Sequence, residues 1–454
     1  MKSVSVIGAG LSGLVAAWHL AERDHAVTVF DRRSGPGGLI QTCITDHGLV
    51  ETGANAFVRD EIVDRWFARL GLEPLSPRRA SRRRYIFRDG RPRRWPLNIG
   101  ESAGCVLRLA AAALTRQFSA RTGESMADWG RRVAGPAATD WLVEPAMQGI
   151  YATPADELSA AVVFNARRRG RRELVAPEHG MGDFAARLHA RLIARGVRFR
   201  FNSTIDAIDS GAPTIIATGA PAAAELLRDH APEVAALLRR IRAASLATVT
   251  LFFEPHPDDI RGFGVLFPEP SGAAALGVLF NADIFDGRSD VRSETWMVGD
   301  RGRGLTALPD RQLLEILAAD RYVLCGRHAT PLSSHITRWP QAIPVYDRRI
   351  AELRLALDAL PAGIALAGNY LGRIGVAALL QTAADAAARV TESSPIPAAS
   401  YGVNRTEIAA RYDRFDERRT DGIQRVSRWV CAPGADTDVS HQKRPASTST
   451  LRRE

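Results

Sequence analysis

Lysine is nearly missing from this chain of 454 residues: Lys2 and Lys443 are the only two. No lysine between them can form a Schiff base or hold a water against a cofactor ring, so the basic chemistry belongs to arginine. Cysteine is scarce as well. Cys43, Cys105, Cys325 and Cys431 are scattered, with no C-x-x-C. That spacing argues against a disulfide framework, a zinc site or an iron–sulfur cluster, and it suits a reducing, cytosolic compartment. No apolar run reaches the ~18 residues that a spanning helix needs. The first strand begins at once, so a signal peptide is not expected. No His/Asp/Glu cluster at ligand spacing and no Ser-His-Asp constellation stands out, so neither a metal nor hydrolytic chemistry is expected.

A nucleotide cradle opens the chain. The β-branched residues Val4, Val6 and Ile7 predict a buried parallel strand, and residues 11–23 predict a helix. Between them Gly8, Gly10 and Gly13 stand at G-x-G-x-x-G spacing. The first glycine permits the tight turn, the second lets the backbone approach a pyrophosphate, and the third lets helix and strand pack closely. Leu11 and Ser12 sit at the helix N-terminus, where free N–H groups favour phosphate. A second strand, residues 26–30, ends in Asp31, roughly the 20-residue offset at which an acid meets a ribose hydroxyl. The basic residues that follow also suit a 2′-phosphate, which keeps NADP open beside a flavin dinucleotide.

The net charge is +10, from 60 basic and 50 acidic residues. Most of the excess lies in residues 78–94, where nine arginines (78, 79, 82, 83, 84, 88, 91, 93 and 94) oppose one aspartate. A second cluster is Arg167, Arg168, Arg169, Arg171 and Arg172. Such clusters suit an anionic membrane surface, a polycarboxylate ligand or a plain solvated face. Nucleic acid is not expected, because no recognition motif accompanies them.

Length predicts two or three domains. Residues 65–70 and 184–195 predict helices, and residues 100–173 are mainly helical. Residues 104–114 are apolar but short, either a core helix or an interfacial helix lying on a membrane. Strands are expected at residues 198–201, 205–208, 214–217, 246–253, 262–267, 275–280 and 363–367. An alanine-rich helix should follow at 378–390, and the Ser/Thr/Arg-rich end should be partly disordered.

The stretch Asp31-Arg32-Arg33-Ser34-Gly35-Pro36-Gly37-Gly38 resembles the extended fingerprint of the flavin amine-oxidase superfamily. Further motifs bring the likeness closer. They are Gly53-Ala54-Asn55-Ala56-Phe57; Arg84-Tyr85-Ile86-Phe87 with Trp95-Pro96; Val143-Glu144-Pro145-Ala146-Met147-Gln148-Gly149-Ile150-Tyr151; Gly262-Phe263-Gly264-Val265-Leu266; Ile284-Phe285-Asp286-Gly287-Arg288; and His335-Ile336-Thr337-Arg338-Trp339-Pro340-Gln341-Ala342-Ile343-Pro344-Val345-Tyr346-Asp347. Over residues 1–393 the chain resembles the oxygen-dependent protoporphyrinogen oxidases. One departure lies in the loop Gly368-Asn369-Tyr370-Leu371-Gly372-Arg373-Ile374-Gly375-Val376, where Arg373 replaces a family glycine and a Pro-Asp is lost.

The resemblance implies an α/β fold: a Rossmann-like FAD-binding domain, a mixed-sheet substrate domain and a helical insertion. The FAD-binding part would comprise residues 1–60, 174–225 and 360–393. A helical substrate- or membrane-facing part would span 61–173, a mixed-sheet substrate-binding part 226–359, and a tail 394–454. FAD would rest on Gly8, Gly10, Leu11, Ser12, Gly13, Asp31, Arg32, Gly37, Gly38, Gly53, Ala54, Asn55, Ile205, Thr218, Gly219, Trp339, Gly368, Ile374, Gly375 and Val376. The implied reaction is oxidation of a porphyrinogen by O2, with H2O2 as by-product and no protein side chain as catalyst. Arg84 would anchor a propionate, Phe263 and Leu266 would pack the macrocycle, and Gly149 would let it approach the backbone. The arginine run would favour a substrate with four propionates over one with two. The resemblance also leaves room for peripheral membrane association and a homodimer. An amine oxidase, a desaturase and a non-catalytic flavin-binding homologue remain the alternatives.

Overall fold

A computed structural model describes residues 3–165, 173–209, 211–300 and 302–391. The expectations for Arg167–Arg172 and for the tail from residue 392 onward lie outside the described residues. Five strands, Ser3–Ile7, Ala26–Phe30, Arg198–Arg200, Thr214–Ile216 and Ile364–Leu366, form one sheet. All are parallel, and in chain order they lie 3-2-1-4-5 across the sheet. This is the doubly wound order, which brings all five following loops to one carboxyl edge. The three central strands are short and rich in β-branched residues because helices cover both faces. Helix Leu11–Ala21 is almost wholly buried and packs against helix Val376–Thr391. Alanines make that close approach affordable: Ala16, Ala17, Ala383, Ala386 and Ala387 are all inaccessible to solvent.

A second sheet has seven strands in the order Ser333–Pro344, Ala243–Phe253, Arg292–Gly299, Gly277–Phe280, Gly264–Leu266, Arg84–Arg88 and Arg91–Arg93. Every pair is antiparallel except Gly264–Leu266 with Arg84–Arg88. Residues 84–93 thus join the mixed sheet as a hairpin, rather than the helical segment in which sequence reading had set them. The pairing that recruits them is with a strand far along the chain. Helix Asp310–Cys325 covers one face through Leu313, Leu317 and Leu324. The strand expected at 205–208 is coil. At Asn202 the backbone turns left-handed (φ +51), and the N–H groups of Asn202 and Ser203 go to Arg33 and Asp31, so the ladder ends at Arg200.

The helical layer includes Ile99–Leu114, Met126–Val133, Glu144–Tyr151 and Ala160–Asn165. Ile99–Leu114 opens with a capping box, Asn98 accepting from the Glu101 N–H while Glu101 accepts from the Asn98 N–H. Only Cys105 and Ala112 of this helix are buried. Ile99, Leu107 and Leu114 are 91%, 70% and 86% exposed, so most of its apolar surface is not core. No helix among the described residues is long and apolar enough to cross a membrane.

Candidate cofactor and substrate site

The glycine turn at the end of Ser3–Ile7 is tightly determined. Gly8 has φ +110, and a Cβ there would stand 2.6 Å from the Ala217 carbonyl oxygen. At Gly13 a Cβ would fall 1.8 Å from the Gly8 oxygen, so that glycine sets the helix–strand contact. Gly10 differs. Its backbone is ordinary (φ −71, ψ 177), and a Cβ would meet only the Gly38 Cα, at 3.9 Å. Nothing in the protein demands glycine there. Gly10 is the N-cap of helix Leu11–Ala21, and no side chain caps that end. Leu11 and Ser12 form its first turn, with N–H groups available to an anion.

A second turn backs the first. Gly37 (φ +110) and Gly38 (φ +63) lie against it: Gly10 and Gly37 form a parallel bridge, and the Gly37 N–H donates to Ala9 oxygen at 2.9 Å. Asp31 accepts from the N–H groups of Ala9 (2.6 Å) and Arg33 (2.8 Å). Its carboxylate therefore braces the cradle as well as standing at its rim. Arg32 points to solvent. It is Arg33 that enters the site, donating to Gly38 oxygen at 2.8 Å and lying 5.5 Å from the Trp339 ring. The chain bends after Asp31, whose carboxylate takes the Arg33 N–H, and the sequence alone gave no reason to prefer the second arginine.

Trp339 comes from the mixed sheet. Its indole N–H donates to Thr52 oxygen at 2.7 Å, and the Thr248 hydroxyl reaches the same oxygen at 3.0 Å. This seats Gly53, Ala54 and Asn55 between the two sheets. Gly53 is forced by Leu39, whose carbonyl oxygen would be 2.2 Å from a Cβ. Thr218 and Gly219 follow the fourth strand of the parallel sheet, with Gly219 capping helix Ala220–Leu226. Ile205 is half-buried in the coil after the third. Gly368, Ile374, Gly375 and Val376 follow the fifth, where the Tyr346 hydroxyl donates to Asn369 oxygen at 2.7 Å. Apart from Trp339, on the mixed sheet, and Gly53–Asn55, seated between the two sheets, every cofactor candidate lies in a loop leaving the parallel sheet's carboxyl edge or in the first turn of the helix that follows it.

Beneath Asn55 lies a buried ion pair that sequence reading missed. Glu51 and Arg288 are 5% and 4% exposed, 3.1 Å apart. Glu51 also accepts from the Met181 N–H (2.8 Å) and the Thr42 hydroxyl (2.7 Å). Burial pushes the Glu51 carboxyl above its usual range, against the pull of Arg288 and these donors, and burial pushes the Arg288 guanidinium down. Both directions say that this charge pair is costly to bury.

The substrate candidates gather on the mixed sheet. Arg84 pairs with Gly264 in register, and its guanidinium stands 4.6 Å from the Phe263 ring centroid. Burial lowers its pKa from the usual value. Phe263 and Ala56, which follows Asn55, both pack against the buried cluster of Ala176, Ile284 and Phe285. Leu266 packs with Ile86 and Leu142 of the helical layer. It also fills the space over Gly149, where a Cβ would lie 2.8 Å from Leu266 Cδ2. Packing between helix Glu144–Tyr151 and the sheet therefore already requires a glycine there. The rest of the arginine run disperses. Arg88 grips Glu101 with two bonds of 2.7 and 2.8 Å and stacks on Trp141, Arg78 pairs with Asp286, and Arg93 pairs with Asp89.

Among curated proteins, the chain is 27% identical to the coproporphyrinogen III oxidase of Mycobacterium tuberculosis (strain H37Rv), over 86% of this chain and 98% of the relative. It is 25% identical to the mitochondrial protoporphyrinogen oxidase of Nicotiana tabacum, over 85% and 94%. The fold is similar to a solved protein from Exiguobacterium sp. 255-15 (TM-score 0.71, 22% identical, 85% of this chain and 98% of that one). The cradle fits FAD: Gly10 presents an approachable backbone, an uncapped helix end faces the phosphate position, and the loops of all five parallel strands share one edge. Residues 11–391 match the family described as flavin containing amine oxidoreductase; the chain belongs to that family, and its cofactor is FAD.

Proposed function

We propose that this protein oxidises a porphyrinogen to the porphyrin with O2 as acceptor, releasing H2O2, in tetrapyrrole biosynthesis. One observation carries the reading: Arg84 is held over Phe263, in an apolar cluster that also takes in Ala56, the residue after the Gly53–Asn55 segment. A flat macrocycle bearing carboxylates needs an apolar plane and a fixed cation at its rim, and an arginine fork matches a carboxylate. Full-length likeness to the coproporphyrinogen and protoporphyrinogen oxidases supports it. Bound FAD supplies the hydride-accepting chemistry. Arg84 orients the propionate, Phe263 and Leu266 cover the ring faces, and Trp339 with Thr52 holds the wall between the two sheets. An amine oxidase that holds a water by lysine is disfavoured, because no lysine stands between Lys2 and Lys443.

The test is oxygen-dependent porphyrin fluorescence with purified holoprotein, using protoporphyrinogen and coproporphyrinogen in turn. Formation well above autoxidation supports the reading, and flavin without turnover of either substrate removes it. Arg84→Ala should raise KM tenfold or more with kcat within a factor of about two, since a lost charged hydrogen bond costs about 1.5–3 kcal/mol. Equal KM values would show that the propionate is held elsewhere.

The exposed face of Ile99–Leu114, next to the exposed arginines Arg91, Arg94 and Arg108, is proposed to rest on an anionic lipid surface. Sedimentation with phosphatidylglycerol-containing vesicles, but not with neutral ones, is the expected result, and Leu107→Asp should abolish it. Equal recovery in both supernatants would sink this partner.

A further inference from the structure

The loop between the fifth parallel strand and helix Val376–Thr391 is pinned to both sheets. Asn369 accepts from the Tyr346 hydroxyl at 2.7 Å and donates its side-chain N–H to Ala342 oxygen at 3.3 Å. Gly372 then takes a left-handed conformation (φ +87), where a Cβ would come within 3.1 Å of Arg354 Cδ. Arg373 follows, half-buried, and two residues on Gly375 is exposed, with nothing within 4 Å of where its Cβ would stand. The 16-residue helix starts at the next residue. One turn thus holds an arginine, an approachable backbone and a helix N-terminus with its partial positive charge. Behind it Arg354, 8% exposed, is lowered to about 10 by burial and by the charge of Arg373. Two guanidinium groups therefore share this corner.

We infer that Arg373 sets the reactivity of the bound flavin, by placing a positive charge beside its ring system. Hydride uptake brings two electrons and one proton, so the ring system gains one negative charge. A cation fixed beforehand at that place stabilises the reduced form more than the oxidised one. The arginine stands where the resembled family has glycine, so this charge is a feature of the chain and not of the fold. The inference rests on the reading that the loop from Gly368 to Val376 lies against the isoalloxazine ring.

Sulfite reports on such a charge without turnover, because its addition to oxidised flavin also leaves the ring negative. The measurement is sulfite affinity, with the dye-equilibrated flavin potential, on the flavoprotein as isolated. Arg373→Gly and Arg373→Gln should weaken sulfite binding tenfold or more. They should also lower the potential by about 30 mV or more, the tenfold equivalent for a two-electron couple. Arg373→Lys should keep most of both, and Arg311→Gln, on an exposed helix, should change neither. Glycine and glutamine variants with the wild-type sulfite affinity and potential would overturn the inference. Because neither readout needs a porphyrinogen, failure of turnover would count against the proposed substrate and leave this result standing.

Discussion

Gly10→Ala should give a protein that folds as well as the parent and holds almost no flavin. The argument is a contrast among three glycines of one turn. At Gly8 and Gly13 an added Cβ would stand 2.6 and 1.8 Å from backbone carbonyl oxygens. Overpacking costs about 1–3 kcal/mol where neighbours can shift, and here the neighbour is backbone. Those variants should fail to accumulate. At Gly10 the backbone is extended, any residue adopts it, and the nearest atom is 3.9 Å away. The stripped Gly10→Ala apoprotein should therefore melt within about 0.5 kcal/mol of the stripped parent, as surface changes do. Its methyl group stands instead where the pyrophosphate must approach. A displacement worth about 3 kcal/mol weakens retention about a hundredfold, which reads as a near-complete loss of flavin absorbance after gel filtration. Wild-type flavin content in Gly10→Ala would mean that the dinucleotide does not cross this turn.

The parallel sheet was the most legible part of the chain, because its evidence is local. Short β-branched runs that lead to glycine or an acid mark the three central strands, and the apolar Ile364–Leu366 leads to Gly368, whereas Arg198–Arg200 at the edge carries neither sign. Only the 205–208 segment was over-read, where apolar residues alternate but the ladder has already ended at Arg200. The mixed sheet was half legible. Its long antiparallel strands announce themselves by alternation, and Asp89-Gly90 is a local sign of the hairpin between Arg84–Arg88 and Arg91–Arg93, but the attachment of that hairpin to Gly264–Leu266 has no local sign. No local rule encodes a partner so distant. The arginine run was similarly opaque. Charge density is visible in sequence, but which guanidinium is spent on Glu101, Asp286 or Asp89 depends on three-dimensional neighbours. A glycine such as Gly149 carries no record in sequence of what lies beside it, and here that neighbour is Leu266.

Arg288→Met should be the most destabilising change outside the glycine turn. Glu51 and Arg288 are 237 residues apart in the chain. They join the Thr42–Glu51 hairpin to the segment after Phe285, closing the floor under Asn55. Removing the guanidinium leaves a buried carboxylate with only the Thr42 hydroxyl and the Met181 N–H. Breaking a buried pair from one side costs about 3–5 kcal/mol. Burial already raises the Glu51 carboxyl, and loss of its cation raises it further. A carboxyl with a higher pKa in the folded state binds its proton more tightly there than in the unfolded chain. Stability is then greatest in acid and falls as pH rises through the unfolded value toward the folded one. The deficit of Arg288→Met relative to wild type should therefore be smaller at pH 5 than at pH 8. Glu51→Gln added to Arg288→Met removes the stranded charge while keeping the shape, and should recover half or more of the loss. Urea unfolding of the four proteins at both pH values measures this cycle. A double variant as unstable as Arg288→Met, with no dependence on pH, would mean that Arg288 acts through its contact with the Phe285 ring (5.3 Å) and its hydrogen bond to the Pro177 oxygen (3.4 Å), and not through the charge on Glu51.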